Sequence, residues 1–543
     1  MTGPRPTAPR HVPVLVAGGG PSGLAAAIEL GRRGVRVLVV EPREVLDPLR
    51  ARAKTTSVRT MEHLRRWGLA DELRRRAPLP VAHAQDVVFC TSVFGRELTR
   101  FPHAFGLWTE PRDIAAEAGQ QVPQPVVEQL LRDAVAELPS VTLLLGSRVT
   151  EVVDGPDGVR AVVAGPDGTT TEVQADYLLG ADGGAGVSRA AIGARYAGSS
   201  GTAPNLSLAF RSRTLDQRPA CALGVHWWVV GGERGGLMGR LDLDGLWWAI
   251  VQGVDVSRED VDPVELVRAF AGDPECDVEV LVTDPWSARM LLVDRYRGER
   301  VFLVGDAAHL NPPWGGHGFN TCVGDAVNIG WKLAAVLQGW APESLLDSYE
   351  PERRPVAERT IAAAGDQEAF TAARFAGRDA TAAGLEGDAV RAELAEALQV
   401  KEPEFHSLGL VLGYDYADSP VVVPDGSVPP AHDVVGFVPS AHPGARLPHA
   451  WLRPGRSVYD ELGEGFTLLV TAGDPDLLVA EAARRGVPLS VTDLSAAPAL
   501  RDLWGAGLVL VRPDQHVAWR GDSVPDPTVL LDAVTGAHTL ETA

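Results

Sequence analysis

The sequence predicts an α/β protein with three parts: a parallel-sheet domain, a mixed β-sheet inserted into it, and a small separate α/β domain at the C-terminal end. Three observations predict this. An apolar β-branched run, a glycine-rich turn, a small-residue helix and a second apolar run fill residues 12–41. Strand signals dominate residues 81–111 and 201–295 and interrupt the helical segments around them. Beyond a proline-rich stretch, an order of strand, helix, strand, strand, helix starts afresh near residue 456.

The first ten residues are polar and proline-rich and read as a loose tail. "VPVLVAGGGPSGLAAAIELGRRGVRVLVVEPR" then reads as strand, tight turn, helix, strand. Both strands are continuously apolar, as in a parallel sheet covered on both faces, and Gly34 stops the helix. Residues from about 56 to 78 read as helical, with apolar residues at Met61, Leu64, Leu69 and Leu73. "PQPVVEQLLRDAVAEL" is an amphipathic helix. A meander with two Pro-Asp-Gly turns follows and ends at Asp182-Gly183. A helix is predicted over 320–338, and helices continue to about 400, the part 377–400 being rich in Ala and Glu.

The chain has 543 residues and a formal charge of −21, which disfavours nucleic acid and anionic membrane as partners. Cys90, Cys221, Cys276 and Cys322 are scattered with no metal-ligand spacing, so neither a metal site nor a disulfide framework is expected. No signal-peptide pattern and no membrane-spanning stretch is present, and a cytoplasmic location is the expectation. Only Lys54, Lys332 and Lys401 are lysines; arginine supplies the remaining positive charge.

Three short motifs carry chemistry. The first is Gly18-Gly19-Gly20-Pro21-Ser22-Gly23, between strand and helix. Its glycines permit the turn, the close approach of a pyrophosphate and the packing of helix on strand, while the helix N-terminus faces the phosphates. Glu41 ends the second strand, where an acid accepts from ribose hydroxyls. The second motif is "YLLGADGGAGVSRAAIG", which alone is an ordinary strand–turn signal. The third is "VFLVGDAAHLNPPWGGHGFN", residues 301–320. Asp306 follows a buried strand and can grip a polyol. Pro312 and Pro313 stiffen the turn, and Gly315, Gly316 and Gly318 leave the backbone bare before a long helix. Such a loop offers N–H groups and a helix dipole to a flat, electron-rich ring.

In this order the motifs resemble those of the single-component FAD-dependent aromatic hydroxylases with the para-hydroxybenzoate hydroxylase fold, in particular the phenol hydroxylase and polyketide-tailoring branch. The resemblance implies a Rossmann-like FAD-binding domain, an inserted mixed β-sheet substrate domain, and a thioredoxin-like C-terminal α/β domain, here without CxxC. The boundaries expected are 11–385 for the monooxygenase region, 386–455 for a helical arm and linker, and 456–543 for the C-terminal domain. Within the first region, FAD-binding parts fall at 11–80, 112–200 and 296–385. The resemblance implies FAD held by Gly18, Gly20, Ser22, Gly23, Glu41, Arg43, Arg52, Gln124, Val149, Asp182, Asp306, Pro313, Gly318 and Asn320. It further implies NADPH or NADH and O2 as co-substrates and hydroxylation of a phenolic or polycyclic aromatic ring through a flavin C4a-hydroperoxide, in a secondary-metabolite tailoring role. A monomer or homodimer acting on a small molecule is expected.

The catalytic groups are left open, with Arg52, His226 and Pro313 as candidates. "CALGVHWWVVGG" and "DGLWWAIVQG" read as paired strands, and one tryptophan of each adjacent pair should face a pocket while the other faces away. His226, Trp228, Trp248, Trp314 and Phe319 are the candidate pocket residues, although a hydrogen-bonded sheet histidine and core tryptophans are the plainer reading. A Baeyer–Villiger or epoxidising oxygenase is the alternative on the same fold. A halogenase is disfavoured, because Trp247-Trp248-Ala249-Ile250 departs from that family's pattern and no lysine lies between Lys54 and Lys332. A non-catalytic flavin-binding scaffold is the remaining alternative.

Overall fold

The structure, a computed structural model, describes residues 8–50, 52–230, 234–258, 260–375, 380 and 384–537. Most of the predicted tail and part of the predicted helix 377–400 lie outside them. The apolar runs of the first motif form the centre of a seven-stranded sheet. Its order is Val141–Leu145, Val37–Glu41, His11–Ala17, Thr170–Gly180, Gly158–Ala164, Arg148–Gly155, with Val301–Leu303 on the other side of Thr170–Gly180. The pairs Val14↔Val37, Leu15↔Leu178 and Leu179↔Phe302 are parallel, and the meander strands close the sheet antiparallel.

Helix Pro21–Arg32 packs its buried Ala25, Ala26 and Ala27 into this core. It also meets helix His317–Leu337, where a Cβ at Gly330 would lie 2.6 Å from the Glu29 Cβ. Helix Pro21–Arg32 starts just past the carboxyl end of strand His11–Ala17, and the third motif leaves the carboxyl end of parallel strand Val301–Leu303, so the first and third motifs share one end of the sheet. That is where open α/β sheets bind ligands.

The inserted sheet has eight strands, in the order His309–Leu310, Glu279–Val293, Tyr196–Arg211, Leu246–Gln252, Gly236–Arg240, His226–Val229, Val87–Cys90, Glu97–Phe101. It starts at Tyr196, earlier than the sequence suggests, and takes in His309 and Leu310 from the third motif. Strand alternation holds as predicted. Trp227 and Trp247 join the core under helix Pro263–Ala271, and Trp228 and Trp248 face the other way.

The helical segment 56–78 is two helices, Val58–Arg66 and Ala70–Arg76, because Gly68 takes φ +77 and breaks the hydrogen-bond ladder. The C-terminal part is a four-stranded sheet, Leu489–Asp493, Phe466–Val470, Leu508–Val511, Val517–Gly521, with helices on both faces. The connecting segment 413–450 has no helix or strand, yet Tyr416, Val421, Arg446 and Leu447 in it are buried.

Candidate active site

Gly18 takes φ +102, and a Cβ on it would stand 2.2 Å from the Ala181 carbonyl oxygen. A Cβ on Gly23 would stand 1.9 Å from the Gly18 oxygen. Both positions therefore demand glycine. Gly20 caps the helix in extended conformation with no side-chain cap, and the nearest atom to a Cβ there is the Arg43 Nη2 at 4.0 Å. No side chain of the N-cap residue bonds the first N–H groups of the helix.

Glu41 is buried; its Oε2 accepts from the Gly19 N–H at 2.8 Å and its Oε1 from the Arg43 N–H and Nε at 3.0 and 2.7 Å. Arg43 reaches on to Glu128 at 3.1 Å. Gln124 donates to Glu128 at 2.6 Å and accepts from the Ala53 N–H at 3.1 Å. The Ser147 N–H donates to the Glu41 carbonyl at 3.2 Å, which brings buried Val149 to the same edge. Glu41 and Arg43 thus form one polar rim with Gln124, which lies far from them in sequence.

Asp182 accepts from the Ser188 N–H and hydroxyl, both at 2.9 Å, through one oxygen. Its other oxygen is buried without a hydrogen-bond partner among the described residues, and burial pushes the carboxyl up. Asp306 is exposed beside Gly305, whose Cβ position lies 2.4 Å from the Ser22 hydroxyl; here the first and third motifs touch. The Cys322 thiol lies 3.6 Å from an Asp306 oxygen, and burial pushes it well above its ordinary value, so it stays protonated and acts in packing.

The glycine loop is supported from behind. His309 Nε2 lies 2.8 Å from Asp325, which also accepts from the Arg353 Nε at 2.8 Å and the Gly305 N–H at 3.2 Å. Burial works against a charged His309, but Asp325 outweighs it and raises the imidazole. Gly315 and Gly316 take φ +74 and +68, and Gly316 starts the helix without a side-chain cap. Asn320 accepts from the Ser57 N–H at 2.9 Å and donates to the Thr55 and Gly316 carbonyls at 3.1 and 2.7 Å. A cleft between the two segments is lined by Thr55, Ser57, Phe105, Gly315, His317 and Asn320. Gly318 is half-buried, and Pro313 and Arg52 are exposed.

Beyond this loop stands an aromatic wall. Trp228 lies 5.4 Å from Phe89 and 6.0 Å from Trp314, ring centre to ring centre. Trp228, Trp248 and Trp314 are buried, and their indole N–H groups have no hydrogen-bond partner among the described residues. His226 meets Trp248 edge-on at 5.0 Å, and its Nε2 lies 3.0 Å from the Gln121 amide nitrogen, which donates to it. Burial, then the nearby Lys54 charge, pushes His226 down to about 3, so it is neutral. Phe319 does not join this wall; it is half-buried against the parallel-sheet core.

The sequence reading passed over Lys54, whose Nζ stands 4.3 Å from the Trp248 ring centre. The available signal was its rarity: one of three lysines, placed in a segment otherwise served by arginine.

These residues fit FAD. The open glycine turn, the uncapped helix start, the unpartnered Asp182 oxygen and the bare loop match a dinucleotide with a flat ring. Among the described residues no group of three or more His, Cys, Asp or Glu could hold a metal, and no helix is long and apolar enough to cross a membrane.

Comparison with known proteins agrees. Residues 11–364 match the family described as FAD binding domain, and residues 440–538 match the aromatic-ring hydroxylase C-terminal family. The chain is 33% identical to a 4-methyl-5-nitrocatechol 5-monooxygenase from a Burkholderia species, covering 98% of each. It is similar to the structure of the rebeccamycin biosynthetic enzyme RebC with reduced flavin, with TM-score 0.88, 35% identity and coverage of 98% of this chain and 100% of that one. It is also similar to aklavinone-11 hydroxylase in ternary complex with FAD and aklavinone, with TM-score 0.81, 30% identity and coverage of 97% and 100%.

Proposed function

Because the chain belongs to the FAD-dependent aromatic-ring hydroxylases, we propose that it hydroxylates a polycyclic phenolic substrate in the tailoring of a secondary metabolite. The enzyme is a flavoprotein monooxygenase, with NAD(P)H as the reductant typical of its family. FAD, when bound, supplies the activation of O2 and the transfer of one oxygen atom. The chain's own residues bind, orient and keep water out.

In this reading Gly18, Gly20, Ser22 and Gly23 would take the pyrophosphate, Glu41 and Arg43 the adenosine end, and Asp306 the ribityl chain. The uncapped start of helix His317–Leu337 would place its positive dipole end against the electron-rich edge of the ring. Neutral His226 and His317, the latter pushed down to about 4 by burial, leave that dipole without competing charge on either imidazole.

The observation that carries the substrate class is the wall of Trp228, Trp248 and Trp314. It offers flat apolar faces and three buried indole N–H donors without partners among the described residues, which suits an extended ring bearing carbonyl or hydroxyl oxygens. The relative that binds aklavinone supports the same class. The test is product analysis with a panel of one-ring phenols and polycyclic hydroxyquinones. Hydroxylation confined to the polycyclic members is expected; turnover of small phenols alone would overturn the substrate class.

A further inference from the structure

Three lysines occur in the chain, and two are neutralised in the core. Lys332 pairs with Glu352 at 2.6 Å and Lys401 with Glu404, all four side chains buried. Lys54 forms no ion pair among the described residues. Its Nζ donates to the Arg52 carbonyl at 3.1 Å and otherwise lies over the Trp248 ring at 4.3 Å, on the wall side of the inserted sheet.

The backbone that carries Lys54 is held firmly. Thr55 and Thr56 pair with Gln121 and Gln120 as a two-residue ladder, and Asn320 binds Thr55 and Ser57 from the glycine loop. The amine is therefore set between the aromatic wall and the loop expected to face the flavin. The groups around it are few: Arg52 before it in sequence and exposed, neutral His226, and the uncharged Gln121 amide that holds His226. Among the described residues no carboxylate balances it.

We propose that the Lys54 amine receives the acidic hydroxyl of the ring substrate, taking its proton and then holding the oxyanion as an ammonium–oxyanion pair. The proposal deepens the hydroxylase reading and rests on it. The substrate O–H bond breaks, an N–H bond forms at Nζ, and no electron changes hands. The oxyanion raises electron density at ring carbons ortho and para to it, where an electrophilic oxygen attacks. Burial pushes the amine down to about 7, so at neutral pH a proton-free amine is available. Trp248 steadies the ammonium form once made.

The test uses the FAD-loaded protein and two probes, 2-naphthol and its methyl ether, which lacks the proton. Binding is read anaerobically from the flavin absorbance. Wild type should bind the naphthol at least tenfold more tightly than the ether at neutral pH. Lys54→Met should abolish that preference and leave ether binding unchanged. Lys54→Arg keeps the charge but accepts no proton, so its preference should return only as pH approaches the naphthol's own pKa. Labelling lysine at Cε gives a second readout with three resonances, one of them absent in Lys54→Met and titrating near pH 7 in wild type.

An unchanged preference in Lys54→Met, a Lys54 midpoint near its ordinary 10.5, or failure of wild type to bind either probe would overturn the proposal. Hydroxylation of the naphthol at equal rates by wild type and Lys54→Met would sink the role of Lys54 and leave the hydroxylase reading standing. Absence of ring hydroxylation by any variant would count against the hydroxylase reading itself.

Discussion

The Asn320 side chain accepts a hydrogen bond from the Ser57 N–H at 2.9 Å across 263 residues of sequence. With its two donated bonds, to Thr55 and Gly316, it joins the segment after Lys54 to the glycine loop. Asn320→Ala removes three bonds at about 1 kcal/mol each. FAD affinity should fall at least about tenfold, with the fold retained. Fluorescence titration of the apoprotein with FAD, beside a circular dichroism spectrum, checks this.

Gly18→Ala should be more severe. The added methyl meets a backbone oxygen at 2.2 Å, and φ +102 is closed to alanine. A loss of at least about 2 kcal/mol in stability is expected, and the purified protein should lack the yellow colour of bound flavin. Normal FAD content in this variant would contradict the assignment of the turn.

The C-terminal domain is tied to the rest by buried charge. Arg512 donates to both Glu352 oxygens at 2.7 and 2.8 Å, Lys332 reaches the same carboxylate at 2.6 Å, and Ser419 from the connecting segment adds a fourth bond at 2.6 Å. Arg512→Met leaves Glu352 with one cation in place of two. Denaturant unfolding should show a loss of about 3–5 kcal/mol, whereas exposed Arg484→Met should change stability by under about 0.5 kcal/mol.

The His309–Asp325 pair gives stability a pH signature. His309 is raised above 6.5 in the fold, so its contribution is full below 6.5 and is lost as pH rises through its higher folded value. Asp325 is held below 3.8, once the attraction of His309 and Arg353 has overcome burial, so its contribution is lost only as pH falls below that value. Wild type should therefore exceed His309→Gln most between about pH 4 and 6.5, and the gap in Tm should shrink above that range. A gap that widens toward pH 9 would contradict the pairing.

What could be read from the sequence was local. The glycine turn 18–23 and the alternation of Trp227 with Trp228 depend on neighbours within a few residues, and the structure shows both. Periodicity shows 56–78 as helical but does not mark the break at Gly68, since apolar spacing continues across it. Lys54 meets Trp248 only through the packing of distant segments, and Arg446 finds Glu62 at 2.7 Å across 384 residues. Residues 386–455 read as a helical arm and linker, yet buried side chains within their part 413–450 bind two parts of the molecule together. Such contacts depend on topology, and no residue pattern within one segment records them.

The most direct test of the central claim is oxygen incorporation. FAD-loaded protein is given NAD(P)H, a polycyclic hydroxyquinone and isotopically labelled O2, and the product is weighed by mass spectrometry. The account predicts one labelled oxygen atom on a ring carbon for each NAD(P)H consumed. A lactone or epoxide carrying the label, or NAD(P)H oxidation with the ring unchanged across the panel, would contradict it.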